Sequence, residues 1–330
     1  MTSSHSGMVS DPSANAEDAC GRCHGEEVIN SATSLHSSFR GYKTFFEARS
    51  GLSLESDHHL ETEFKNECGT CHTTCGQCHI SFPNSVKGGL IQGHRFLPTP
   101  SQSDNCMSCH GSRIGEEYSG SRSGYAADAH YVPGGMNCIS CHSGREMHGN
   151  GTEYESRYHS SDMPRCEDCH VIVEGENEWH DHHTDKLQCQ ICHSQDYKNC
   201  NSCHVGGEGI SEPSYIKYKI GKNPLPELRD YEYVLLRHIP IAEDTFDPWG
   251  IADLADYEAL PTWKYTSPHN IQIHTARTDT TGGVSCFNAC HSTPDEDGWF
   301  LRQSDLDSMS TREATANADL IVPNGNPMGW

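Results

Sequence analysis

Apolar residues in this chain come in short runs and keep no period for long. The longest run, Tyr233-Val234-Leu235-Leu236, is stopped by Arg237 and His238. No apolar run is long enough to span a membrane, which takes about 20 residues. From Val205 to Ser285 the chain carries Pro213, Pro224, Pro226, Pro240, Pro248, Pro261 and Pro268. Proline removes a backbone donor and breaks helices, so this segment is cut into short pieces. One helix is predicted around Pro248 to Leu260, and coil in the polar tail after His291. The pattern predicts mainly coil with short α-helices and little or no sheet.

Composition sharpens the problem. Hydrophobic residues are 34% of the 330 residues, against roughly 45–50% in ordinary globular chains, glycine counted in the latter. A chain this polar lacks the apolar surface to offset its ordering entropy, unless something else supplies a core.

The cysteines suggest what does. Eight C-x-x-C-H runs occur: Cys20, Cys23 and His24; Cys68, Cys71 and His72; Cys75, Cys78 and His79; Cys106, Cys109 and His110; Cys138, Cys141 and His142; Cys166, Cys169 and His170; Cys189, Cys192 and His193; and Cys200, Cys203 and His204. Cys286, Cys290 and His291 form a ninth site with one extra residue in its loop. Nine pairs use all 18 cysteines and leave none over.

C-x-x-C-H is the signature of c-type haem attachment. Two thiols must reach the two vinyl groups on one edge of a porphyrin, and a two-residue spacer lets one tight turn span them. The histidine that follows then points under the ring as the proximal iron ligand. Zinc sites also use C-x-x-C pairs, but they need no histidine after each pair. Cys68-Cys71-Cys75-Cys78 has a central gap that does not match the iron–sulfur spacing. A disulfide scaffold also gives no reason for the histidines. Nine covalently bound haems are therefore the expected cofactors, with about 37 residues for each (330/9). They would form a packed chain that the polypeptide wraps, and the apoprotein should not fold.

Site spacing adds detail. Only Thr73 and Thr74 separate His72 from Cys75. A chain extends at most ~3.6 Å per residue, so those two haems must lie near contact. Cys200 follows His193 closely too. The expected organisation is an eight-haem region over 1–205, a cysteine-free wrapping segment over 206–285 that donates distal histidines, and a ninth haem with the tail over 286–330. The three form one continuous haem-cored domain.

Of 23 histidines, nine are proximal: His24, His72, His79, His110, His142, His170, His193, His204 and His291. The rest are more than enough to fill every sixth position. The preferred distal ligands are His36, His59, His94, His130, His148, His180, His183, His238 and His269, with His159 and His274 in reserve.

The formal charge is −23. Phosphate recognition needs clustered Lys and Arg, so nucleic acid is not an expected partner. Redox proteins or extracellular acceptors such as metal oxides, an electrode or other cells are. Self-association into filaments is permitted by the surplus histidines. Because covalent haem is attached outside the cytoplasmic membrane, an exported protein is expected, periplasmic, extracellular or on the cell surface. Met1–Ser13 has no apolar stretch, and a signal segment is expected to be absent from this numbering.

Several runs resemble the octahaem tetrathionate-reductase-type cytochromes. They are Cys68-Gly-Thr-Cys71-His72-Thr-Thr-Cys75-Gly-Gln-Cys78-His79, Glu146-Met-His148-Gly, Tyr197-Lys-Asn-Cys200-Asn-Ser-Cys203-His204, Tyr233-Val-Leu-Leu-Arg-His238-Ile-Pro-Ile and Pro261-Thr-Trp-Lys-Tyr-Thr-Ser-Pro-His269-Asn-Ile. They spread from about residue 60 to the end. The resemblance implies distal roles for His238 and His269, and an enzyme that reduces sulfur or nitrogen oxyanions at one special haem. The chain departs from the pattern in having nine sites, no C-x-x-C-K site and no lysine placed to match the family's unusual ligand.

The expected function is electron transport along closely spaced bis-histidine haems, as a carrier or as the subunit of a conductive extracellular filament. No catalytic residue is expected on that reading. The alternative is a reductase of nitrite, hydroxylamine or tetrathionate at one open haem, with Asp181, His182 and Asp185 as candidate proton donors.

Overall fold

A computed structural model describes residues 15, 18–71, 73–93, 95–121, 124–196, 218–279, 290 and 298–323. Short helices, long coil and one small sheet make up the architecture, as the sequence predicts. The described residues gather into two compact units. The first lies within Met1–Phe46, Ser53–Ser112 and Asn137–Pro164, and the second within Glu47–Leu52, Arg113–Met136 and Arg165–Trp330.

The first unit is helices and turns. His58–Glu67 shows why such short helices hold. The Asp57 carboxylate accepts from the His59 and Leu60 backbone N–H groups at 2.9 and 3.2 Å, satisfying donors that the helix start leaves unpaired. Leu60 and Phe64, four apart, are both buried, which gives the helix one apolar stripe. Phe64 packs edge-on against Phe39, ring centres 6.2 Å apart. Glu61 and Lys65 pair at 2.6 Å on the exposed side. Ser34 and Ser143 cap Leu35–Ser38 and Gly144–His148 in the same way.

The second unit contains an antiparallel sheet in the order β1 (Lys219–Lys222), β2 (Tyr233–His238), β3 (Trp263–Tyr265). Ile220 pairs with Leu235, and His238 with Trp263. The short apolar run Tyr233–Leu236 becomes the central strand and is buried throughout. Gly221 has no room for a side chain: a Cβ there would lie 2.3 Å from Leu236 Cδ1 and 2.9 Å from the Leu320 carbonyl oxygen.

This unit has an apolar core of its own, which the low overall hydrophobic content conceals. Ile191, Tyr218, Ile220, Tyr233, Leu235, Trp299, Phe300 and Val322 pack together. Cys192 and Cys290, from two different attachment motifs, lean on that cluster. The polypeptide here is therefore more than a wrapping.

The helix expected over Pro248 to Leu260 does not form. Two 3₁₀ turns, Asp247–Trp249 and Tyr257–Ala259, stand in its place. Gly250 ends the first in the left-handed region, at φ 82°. Arginines then take the carbonyls that a helix would have used. Arg49 donates to Tyr257 O, to Leu260 O at 2.6 Å and to Pro261 O at 3.2 Å. Arg312 donates to Leu254 O at 2.8 Å and Ala255 O at 3.0 Å. Both guanidinium groups lie over the Tyr257 ring, at 4.8 and 5.5 Å, where its electron-rich face attracts cations.

Arg312 also pairs with Glu258 at 2.7 Å, Asp253 at 3.0 Å and Glu243 at 3.1 Å. The hydrogen bond from Arg312 holds the Glu258 carboxyl below the ordinary carboxylate range. A carboxyl depressed in the folded state contributes stability above its unfolded value and loses it as the pH falls through its folded value. Arg312→Met should therefore melt below the parent at pH 7, with the gap narrowing as the pH drops below the ordinary carboxylate range. Thermal melts from pH 7 to 3 check this; a gap constant with pH would show that the Arg312–Glu258 pairing contributes nothing.

Candidate cofactor site

Each described C-x-x-C-H run is helical; most form one short turn, and the fourth lies within continuous helical structure over 102–119. Cys20–Arg22, Gly69–Cys71 and Cys166–Asp168 are 3₁₀ turns. Cys75–His79, Met107–His110, Cys138–Cys141 and Cys189–His193 are α-helical. A turn of this kind puts residues three apart on one face, so the two thiols face the same way. The histidine closes the turn: the His24, His142 and His170 backbone N–H groups donate to the first cysteine's carbonyl at 2.8, 2.9 and 2.9 Å. Cys200, Cys203, His204, Cys286, His291, His72 and the distal candidate His94 fall outside the described residues.

The structure brings four motif histidines against four distal candidates. His110 faces His36 with ring centres 6.2 Å apart, and His79 faces His148 at 6.2 Å. In the second unit His170 faces His130 at 5.9 Å, and His193 faces His180 at 6.1 Å. The shared distance has a simple meaning. A metal–imidazole bond is about 2 Å, and a ring nitrogen sits about 1 Å from its ring centre, so two imidazoles on opposite sides of one metal are about 6 Å apart.

The ring nitrogens are presented accordingly. His79 Nδ1 bonds to the Leu97 carbonyl at 2.6 Å and His193 Nδ1 to the Gln272 carbonyl at 3.2 Å. His130 Nδ1 bonds to Asp128 at 2.8 Å, and His142 Nδ1 to both Glu146 oxygens at 3.0 Å. An Nδ1 held this way favours one tautomer and fixes the ring's orientation, as second-shell partners of metal-bound histidines do. Burial lowers the pKa of His36, and burial followed by repulsion from His79 lowers that of His148. Both are thereby biased to the neutral form that a metal ligand needs. The Glu146 hydrogen bond raises that of His142.

The other distal candidates sit differently. His238 is buried in β2 with Nε2 at 2.9 Å from Glu313 and its ring 5.3 Å from Trp263. His269 donates its backbone N–H to Glu117 at 2.9 Å, and Glu117 also accepts from the Tyr218 hydroxyl. His59 lies at the start of its helix with Nδ1 3.9 Å from Glu63. His183 Nδ1 bonds to the Trp179 carbonyl at 2.7 Å. Among the described residues, no group of three or more His, Cys, Asp or Glu side chains converges on one point, and the imidazoles described above meet in twos.

Large apolar side chains cluster in sequence at the motifs and stay exposed in the polypeptide alone. Val171 (83% exposed), Ile172 and Val173 follow His170; Trp179 precedes His180; Ile139 sits inside its own motif. Phe96, also exposed, stacks on His79 at 5.2 Å. Such surface needs a cover, and a flat apolar ring held at the motif would provide one. The residues present thus fit haem on three separate grounds: turn geometry, imidazole spacing and apolar lining.

The partners of Nδ1 were largely invisible in the sequence. Glu146, one helical turn beyond His142, and Asp128, two residues before His130, leave a local signal. Leu97 and Gln272 use main-chain carbonyls and leave none. No protein-family profile, curated protein or solved structure matches this chain. No helix among the described residues is long and apolar enough to cross a membrane.

Asp128 is the most connected of these anchors. Besides His130 Nδ1 it accepts from the His130 N–H and the Ile271 N–H, each at 2.8 Å, and it is buried. Asp128→Ala strands those donors, which costs about 1–3 kcal/mol each when buried. The expected result is a clearly lower melting temperature, read by circular dichroism. An unchanged melt would show that Asp128 does not hold the His130 turn.

Proposed function

We propose that this chain is a multihaem c-type cytochrome that carries electrons. The observation that carries this reading is the set of four imidazole pairs at 5.9–6.2 Å, each joining a C-x-x-C-H histidine to a histidine from elsewhere in the chain. Bound haem supplies reversible one-electron chemistry. Every other task belongs to the polypeptide. The paired motif thiols would hold the haem covalently, and each motif histidine with its distal partner would ligate the iron, so that a fully paired site would transfer electrons without binding substrate. The carboxylates and carbonyls on Nδ1 orient the imidazoles and raise their basicity, which favours the oxidised iron.

The pairs also differ in a measurable way. The ring planes cross at 84° for His36–His110 and at 32° for His79–His148. Low-spin ferric signals of two kinds are therefore expected, strongly anisotropic from crossed rings and rhombic from nearly parallel ones.

The test is the electron paramagnetic resonance spectrum of the oxidised, haem-loaded protein. All iron should be low-spin, and His148→Ala should turn one haem in nine high-spin. A parent spectrum with about one haem in nine high-spin, shifting on addition of nitrite or hydroxylamine, would overturn the carrier reading in favour of a reductase.

A further inference from the structure

Sequence order does not say which attachment sites are neighbours in space. The thiols do. In the first unit the Cys106 and Cys138 thiols, from the fourth and fifth motifs, lie close to each other. Two further observations place these motifs together. The Cys138 backbone N–H donates to Gln102 at 3.1 Å, and a cleft of about 180 Å³ has Cys106 and Cys138 in the same wall. On the other side of the fourth motif, the turn Asn84–Val86 packs against both Gly69–Cys71 of the second motif and Met107–His110 of the fourth, and the Cys109 thiol lies close to that of Cys71. Ser85 in that turn fastens the fourth motif, with Oγ 3.2 Å from Cys109 Sγ and 3.2 Å from the Ser108 carbonyl.

The second unit repeats the arrangement. The thiols of Cys166 in the sixth motif and Cys189 in the seventh lie close to each other. Their loops interlock: Gln190 Nε2 lies 3.8 Å from Cys166 Sγ, and Cys189 Sγ lies 3.8 Å from Glu167. Glu167 belongs to the loop of one motif and Gln190 to the loop of the other.

A thioether fixes one edge of its porphyrin at the sulfur, so sulfurs in contact bring two attachment edges together. We propose that the haems at sites two, four and five form one contiguous run through the two thiols of site four, and that those at sites six and seven form another. This rests on the cytochrome reading above. It makes Cys106 and Cys109 positioning residues that set the order of the electron path. In that order site two adjoins site four, although site three lies between them in sequence.

The test is the structure of the haem-loaded protein by electron cryo-microscopy, with the sulfur–sulfur distances as readout. The Cys106–Cys138, Cys71–Cys109 and Cys166–Cys189 sulfurs should be in van der Waals contact, about 4 Å apart, each pair joining two adjacent rings. Haems present at these motifs but separated at those sulfurs by a third ring or by polypeptide would overturn the order while leaving the cytochrome reading intact. A protein purified from a host with full haem-attachment machinery and found without haem would overturn both.

Discussion

The first constraint on this protein is that pairs of imidazole rings from different parts of the chain must be held about 6 Å apart. Isolated side chains do not meet that condition, because a rotamer change moves a ring nitrogen by more than a bond length. The chain meets it by fastening the turn on which each ring sits and, for several rings, the nitrogen that faces away. Thr73 illustrates the economy. It lies in the two-residue spacer between the second and third motifs, and its hydroxyl donates to the His36 carbonyl at 2.9 Å. The spacer thus also fastens His36 opposite His110.

The remaining architecture serves that constraint in different ways in the two units. In the first, the motifs form helical turns among short capped helices, and the apolar surface left open at Ile139 and Phe96 suits the proposed rings. In the second, the polypeptide adds a sheet and a core of aromatic and branched side chains. Cys192 and Cys290 rest against that core. Glu117 ties the unit further. It takes the Tyr218 hydroxyl at 2.9 Å and the His269 N–H at 2.9 Å, and it pairs with Arg113 at 3.3 Å. A buried carboxylate of this kind needs all its partners.

Local features of both fold and site were legible in the sequence. The turn-forming motifs and the short helices follow from spacing and residue type, and His36, His130, His148 and His180, singled out among the surplus histidines, lie against motif histidines. Features that depend on distant segments were not legible. Tyr233–Leu236 reads as a short apolar run, and only its pairing with Lys219–Lys222 and Trp263–Tyr265 makes it a central strand. The Pro248–Leu260 stretch has helix-like content, but Arg49 and Arg312 take its carbonyls from outside. The resemblance singles out His238 as a distal ligand, and its contact with Glu313 in the core is a long-range one that no local signal announces. Which rings meet is a tertiary property, and no local signal encodes it.

The central claim is that every cysteine pair is an attachment site for covalent haem. The most direct test is the mass of the intact protein, denatured to remove anything bound without a covalent link, after expression in a host that attaches c-type haem. The account predicts a single species carrying nine haems on one chain. A species with free or disulfide-bonded cysteines and no haem would contradict it.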